Sequence, residues 1–251
     1  MSGLTKKQTA LIRSLYTRHG RKKSDLCICE GERCCSEIFS NLPDSVVLAV
    51  RSDVFSVDYH GVEFVTIPDS EFKAISSTVA SQGVLALVKR PEPLSDASVP
   101  EDPFILVLDR IADPGNFGTI LRTAEAIGLK EVWYTAGSAD PFSDKVIRAA
   151  MSAQFKVHLR LISDLEELQS KLWQFGYKKI YRTDPHHGED CFREPELFDR
   201  TALIIGNEAN GAASLTGAID VTIPMPGSAE SLNAAQAATV FLFEFVRRSN
   251  L

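Results

Sequence analysis

Three stretches of this 251-residue chain place glycines and short polar side chains directly after apolar runs, an arrangement in which a loop can close on a ligand. The first is Leu108-Asp109-Arg110-Ile111-Ala112-Asp113-Pro114-Gly115-Asn116-Phe117-Gly118-Thr119-Ile120-Leu121-Arg122-Thr123-Ala124. It reads as a strand, a Pro-Gly turn and a helix, with Asn116 expected to cap the helix and Gly128 to close it. Arg122 then falls two turns in, its guanidinium available to a phosphate or a sugar. The second is Ala202-Leu203-Ile204-Ile205-Gly206-Asn207-Glu208-Ala209-Asn210-Gly211, a strand entering a glycine-bounded loop that lets backbone approach a ligand closely. The third, Ile223-Pro224-Met225-Pro226-Gly227-Ser228-Ala229-Glu230-Ser231-Leu232-Asn233, joins a strand to the last helix. Its main-chain groups suit an adenine or ribose edge, Ile223, Met225 and Leu232 supply apolar walls, and Ser231 reads either as a polar contact or as a helix cap. Neither G-K-[ST] nor G-x-G-x-x-G occurs in these loops, which counts against a small-molecule enzyme of the ordinary nucleotide-binding kind.

The loops need strands to carry them. From residue 104 onward, apolar runs at 104–108, 131–135, 179–182, 202–205 and 221–223 alternate with helical patterns at 117–127, 144–153, 164–175 and 232–247. Strands separated by crossover helices predict a largely parallel sheet covered on both faces. Upstream, a helix over 4–19 and short strands near 26–29, 46–50, 64–67 and 84–88 predict a smaller α/β module. Pro91, Pro93, Pro100 and Pro103 crowd between the two, so residues 1–90 are read as one domain, 91–103 as a linker and 104–251 as a second domain.

Charge is unevenly shared. The chain carries −6 overall, yet Lys6, Lys7, Arg13, Arg18, Arg21, Lys22 and Lys23 occur in the first 24 residues with no acid among them, leaving −13 for the remainder. Such a basic arm can neutralise RNA phosphates and release counterions; the alternatives are a helix whose exposed face is basic and an acid-poor transit peptide. The five cysteines, Cys27, Cys29, Cys34, Cys35 and Cys191, lack paired C-x-x-C spacing and read as reduced structural thiols. His186 and His187 read as part of a solvated turn, and no metal is expected. No secretory leader or membrane span is visible, which points to a cytoplasmic protein.

Taken together, N-x-G-x-x-x-R-T-A, I-G-N-E-x-x-G and I-P-M-x-G-x-x-E-S-L-N, in that order, resemble the SpoU (TrmH-type) branch of the SPOUT methyltransferases. Upstream, Glu30-Gly31-Glu32-Arg33, Ser76-Ser77-Thr78 and Gln82-Gly83-Val84-Leu85-Ala86 resemble that family's ribosomal-protein-like substrate-binding domain, so the likeness covers nearly the whole chain. It implies a SPOUT domain whose mostly parallel sheet is tied in a deep trefoil knot, preceded by a small α/β RNA-binding domain. It implies S-adenosyl-L-methionine as cofactor, held by Gly206, Ile223, Met225 and Leu232, and a homodimer with Arg122 and Asn116 beside the cofactor at the subunit interface. The implied reaction is 2′-O-methylation of a ribose, in ribosomal RNA in preference to transfer RNA; the alternative is a silent RNA-binding or ribosome-assembly factor of the same fold. Arg122, Asn116, Glu208, Ser231 and Asn233 are the implied catalytic set, with Arg122 either a base or a cation stabilising the alkoxide, and Glu208 and Ser231 either catalytic or shaping the loop and orienting the ribose. This chain departs from the family pattern at Ala234-Ala235-Gln236, where V-S-V is common, and within Arg148-Ala149-Ala150-Met151-Ser152-Ala153, where R-A-S-x-G-A is usual.

Overall fold

A computed structural model describes residues 3–207 and 211–249. The chain divides into two units, Met1–Glu92 with Asp140–Phe155, and Pro93–Ala139 with Lys156–Leu251.

In the first unit, β1 (Leu26–Glu30), β2 (Val46–Ser52), β3 (Phe64–Ile67) and β4 (Val84–Lys89) form a sheet in the order β1-β4-β2-β3. β4 runs antiparallel to both neighbours, and β2 pairs with β3 in parallel. Side chains alternate across the sheet. Leu26, Ile28, Leu85 and Leu87 pack with Ile12 and Leu15 of α1 (Lys6–Leu15) and with Phe72 and Ile75 of α4 (Asp69–Ile75). Cys27, Cys29, Ala86 and Val88 face the other way, onto α3 (Glu32–Asn41) and onto Ile147 of α6 (Asp144–Ala150). All five cysteines are buried and free.

The expected first helix is two. Thr17 takes an extended conformation and its hydroxyl accepts the Gly20 N–H, which starts α2 (Arg18–Lys22) afresh. The basic segment is therefore folded rather than an arm. Arg21 is buried, with Nε donating to Asp140 at 2.7 Å and a guanidinium N–H donating to the Leu15 carbonyl, whereas Lys6, Lys7, Arg13, Arg18, Lys22 and Lys23 are exposed. Glu30 organises the Ser76–Thr78 loop: it accepts from the hydroxyls of Tyr16, Ser76, Ser77 and Thr78 and from the Ser77 N–H. Burial alone would raise its carboxyl, but the hydroxyl donors of Ser76, Tyr16 and Thr78 outweigh burial and hold it below the usual range.

The second unit is built on seven parallel strands: β5 (Phe104–Leu108), β6 (Glu131–Thr135), β7 (His158–Ile162), β8 (Lys179–Thr183), β9 (Glu189–Asp190), β10 (Thr201–Ile205) and β11 (Ile219–Thr222). Their order is β7-β6-β5-β10-β8-β11-β9. Leu168 and Leu172 of α7 (Leu165–Gln174) join Ile105, Val107, Trp133, Ala202 and Ile204 in one buried cluster. α5 (Pro114–Ala126) packs against α8 (Ala234–Ser249), and α8 against β10. The α/β character and parallel sheet agree with the sequence.

Differences are local. β7 and the two-residue β9 were not expected; β7 is an edge strand whose buried Arg160 is paired with Glu131 at 2.5 Å. The proline-rich stretch read as a linker is strapped to the second unit. Arg160 donates to the carbonyls of Ser95, Asp96 and Ser98, Tyr177 Oη to that of Asp102, and the Asp102 carboxylate accepts the N–H groups of Lys130 and Glu131. Residues 140–155, read from sequence as part of the second domain, pack with the first unit, through Ile147, Phe142 and Phe155. α6 ends at Ala150 because Met151 and Ser152 turn left-handed, with φ of 50° and 67°. Ser152 occupies the position where the resembling family has glycine. Among the described residues no helix is long and apolar enough to cross a membrane, and no group of three or more His, Cys, Asp and Glu side chains could hold a metal.

Candidate functional site

In a parallel sheet every strand delivers its exit loop to the same edge, and ligands bind in the crevice outside those carboxyl ends. The adjacent strands β5, β10, β8 and β11 are followed directly by Asp109, Gly206, Asp184 and Ile223. Loops from three of them, with the start of α8, enclose a cavity of about 460 Å³. Its lining includes Gly206, Ile223, Met225, Leu232 and Ser231, so the four expected cofactor contacts and one expected catalytic residue meet in one place.

The glycine of the second block is there for space. A Cβ on Gly206 would lie 1.8 Å from the Ala212 nitrogen and 2.2 Å from the Gly211 carbonyl carbon, so only glycine allows the chain to fold back on itself here. The Gly211 N–H closes the loop on the Asn207 carbonyl at 2.8 Å, and Asn207 Nδ2 donates to the Arg110 carbonyl at 3.0 Å. Glu208 lies outside the described residues.

The helix caps differ from expectation. α5 starts at Pro114, and its N-cap is Asp113, whose carboxylate accepts the Asn116 N–H at 2.8 Å. Proline fits the first helical position because its missing N–H would have had no partner, and that fixes the preceding residue as the cap. Asn116 instead uses its side chain, whose Oδ1 accepts Asn233 Nδ2 at 3.0 Å. Asn233, not Ser231, caps α8: its Oδ1 accepts the Ala235 N–H at 2.9 Å. The two asparagines thereby tie the first helix to the third loop, and Ser231 is left exposed on the cavity. Gly128, with φ of 83°, closes α5 as expected.

Arg122 is the one residue of the expected set, among those described, that is joined neither to the cavity nor to the others. It is exposed on α5 and makes no ion pair among the described residues. It lies six positions along the helix from Asn116, which turns it about 120° away around the axis.

Sequence reasoning missed the wall contributed by β8. Arg182, Thr183, Asp184, Pro185 and His186 all line the cavity. Asp184 accepts the N–H groups of His186 and His187 at 2.8 and 2.9 Å. Burial pushes its carboxyl up, but those N–H groups and the neighbouring His187 and Arg182 hold it below the usual range, so Asp184 offers the cavity a carboxylate. Gly188 explains how this loop gets there: with φ of 120° it presses on β11, and a Cβ would lie 2.4 Å from the Asp220 carbonyl. A Pro-His-His-Gly turn after a short strand was the available signal. Ala234, Ala237 and Phe241, on one face of α8, complete the wall, so the departure from the family pattern at 234–236 reaches the cavity through Ala234.

Residues 103–243 match the SpoU rRNA Methylase family. Over 240 residues the chain is 30% identical to the 23S rRNA (guanosine(2553)-2'-O)-methyltransferase RlmP of Bacillus subtilis (strain 168), covering 92% of each protein. Among solved structures, it resembles the SpoU methyltransferase AviRb of Streptomyces viridochromogenes in complex with AdoMet, with a TM-score of 0.82, 25% identity and coverage of 98% and 99% of the two chains. It also resembles the AdoMet-bound rRNA methyltransferase of Sinorhizobium meliloti, with a TM-score of 0.80, 25% identity and coverage of 100% and 98%. A family match across more than half the chain, on the residues that build the cavity, places this protein in the SpoU rRNA methylase family.

Proposed function

We propose that this protein transfers a methyl group from S-adenosylmethionine to the 2′-hydroxyl of a ribose in ribosomal RNA. The observation that carries the reading is the meeting of the second and third sequence blocks around one cavity of about 460 Å³, within the size range of small-ligand sites. The lining fits the cofactor. Ile205, Ile223, Met225 and Leu232 offer apolar surface to an adenine, and Asp184 and Glu230 offer carboxylates to a cationic ligand. The missing Cβ of Gly206 keeps the loop folded tightly enough to leave the space open.

S-adenosylmethionine supplies an electrophilic methyl on a sulfonium. The chain must hold the ribose hydroxyl in line with that methyl and accommodate its proton, so positioning carries much of the rate. A guanidinium is protonated at any physiological pH and accepts no proton in that state. Arg122 is therefore assigned the stabilisation of the developing alkoxide. Its exposure and distance from Asn116 along α5 support a role in a homodimer, where Arg122 of one subunit serves the cavity of the other. The Asn116–Asn233 bond sets the angle between α5 and the loop that ends at Ser231.

The first unit is assigned to RNA binding. Its α1–α2 pair and the Lys23 that follows present six cations to solvent and no acid, while the remainder of the chain is strongly acidic. The insertion of β10 between β5 and β8, and the tight crossing of Gly188 over β11, support a knotted chain. Ribosomal RNA is favoured because a relative similar over 92% of this chain is named for 23S rRNA. Calorimetry with S-adenosylmethionine tests the reading: one site per chain with micromolar affinity is expected, and absence of binding would exclude the methyltransferase assignment.

A further inference from the structure

One peptide unit in the cavity wall is held at both ends by charged side chains. Ala212 is buried and lines the cavity, and the peptide bond that follows it runs to Ala213. The carbonyl of this peptide accepts Arg182 Nη1 at 3.4 Å, and its N–H donates to Asp109 Oδ2 at 2.9 Å. Arg182 is itself oriented by two bonds to Asp220, at 2.7 and 2.9 Å. Asp109 is 2% exposed and does not line the cavity. Its Oδ1 accepts the Thr135 hydroxyl at 2.9 Å, its Oδ2 accepts Arg110 Nη2 at 2.9 Å, and its own N–H donates to the Ile205 carbonyl at 2.9 Å.

From this geometry we infer that Asp109 is a positioning residue for cofactor binding: it fixes the Ala212–Ala213 peptide and with it the cavity wall, without touching the ligand. The physical ground is satisfaction of a buried carboxylate. An ionised carboxylate only accepts, and each of its partners here is a donor: a hydroxyl, a guanidinium and a backbone N–H. No neutral side chain of the same shape can replace it. An amide turned to accept from Ala213 and Arg110 Nη2 puts its NH2 in the place of Oδ1, donor against donor with Arg110 Nε at 3.2 Å; turned the other way, its NH2 confronts both the Ala213 N–H and Arg110 Nη2. A buried polar group left without its partner drives a local rearrangement, here of the Ala212–Ala213 peptide that loses its acceptor. Gly206 limits where that peptide can go, since the Ala212 nitrogen already fills the space a Cβ would occupy. Thr135 is the next member of the chain, since its oxygen also accepts the Arg110 N–H at 2.9 Å.

This inference rests on the cavity being the S-adenosylmethionine site, and the test separates the two. Wild type, Asp109→Asn, Thr135→Val and Ser138→Ala are compared by calorimetry with S-adenosylmethionine, by amide exchange over 206–213 and by steady-state kinetics. Ser138 donates to the Leu108 carbonyl at the same strand ends but not to the loop, so S138A controls for general loosening. For D109N, cofactor Kd and KM are expected to rise at least tenfold, the RNA KM to stay within twofold, and the Ala213 amide to exchange faster. T135V is expected to show a smaller shift, about threefold, and S138A none. A folded D109N with wild-type cofactor affinity would overturn the inference, as would equal losses in D109N and S138A. If D109N does not fold, T135V decides, and an unchanged Kd there overturns it. Failure of the wild type to bind S-adenosylmethionine would instead overturn the cofactor reading.

Discussion

Arg122 and Glu244 are both charged residues on helices, and their surroundings give them opposite work. Arg122 is exposed and makes no ion pair among the described residues, so its removal costs the fold little. Arg122→Ala is expected to lower kcat by two orders of magnitude or more while leaving cofactor Kd unchanged, which single-turnover kinetics beside calorimetry will distinguish. Glu244 is buried on α8, and its carboxylate accepts Arg247 and Arg248 at 2.7 Å. Arg247 and then Arg248 pull its carboxyl down to about 2 against burial. A depressed folded pKa adds stability that is complete above the unfolded value near 4.5 and is lost as pH falls toward 2. Glu244→Gln should therefore cost about 2 kcal/mol at neutral pH and narrow its gap to wild type below about pH 4, measured by denaturant titration. Gly206→Ala belongs at this scale too. With the Ala212 nitrogen 1.8 Å from the new Cβ, the loop must move, and cofactor affinity is expected to fall at least tenfold.

The elements carry a different kind of constraint, because a helix start or a strand exit fixes several residues together. Asn233 both caps α8 and binds Asn116, so Asn233→Ala should cost about 1 kcal/mol as a lost cap. It should also raise the cofactor KM, since the loop at 230–232 loses its anchor. The α1–α2 pair makes a separate case. Removing residues 1–23 would strip Ile12 and Leu15 from the core, so the charges must be changed in place. Replacing Lys6, Arg13, Arg18 and Lys22 with glutamine is expected to leave thermal stability unchanged and to reduce the slope of log K against log salt by about 3. The three loops were legible because each follows an apolar run and contains glycine or short polar residues. The β8 wall was not, because its place depends on Gly188 crossing β11, a tertiary contact with no local periodicity. β7 was hidden because Arg160 looks like a surface residue until Glu131, on the neighbouring strand, neutralises it. Asp109 was hidden for a related reason: its partners Thr135 and Ala213 are far away in sequence, and nothing in Leu-Asp-Arg announces them. The caps of α5 and α8 were open to reading, since Pro114 at the first helical position already excluded Asn116 as the cap.

At the scale of the whole molecule, the parallel sheet of one unit holds a cavity at the carboxyl ends of its strands, and the other unit carries exposed cations on α1 and α2. A homodimer in which Arg122 completes the partner's cavity should sediment at twice the chain mass. Mixing an Arg122→Ala chain with a chain carrying Gly206→Ala should then restore activity to part of the population, whereas monomers would show none. Methyl transfer to ribose is tested most directly on RNA itself. The protein is incubated with methyl-labelled S-adenosylmethionine and total RNA from cells lacking it, and the label is mapped by alkaline hydrolysis. A 2′-O-methyl group blocks cleavage of the adjoining linkage, so label in an alkali-resistant dinucleotide from one position in ribosomal RNA is the expected result. Label on a base, or no transfer by a protein that binds the cofactor, would contradict the assignment.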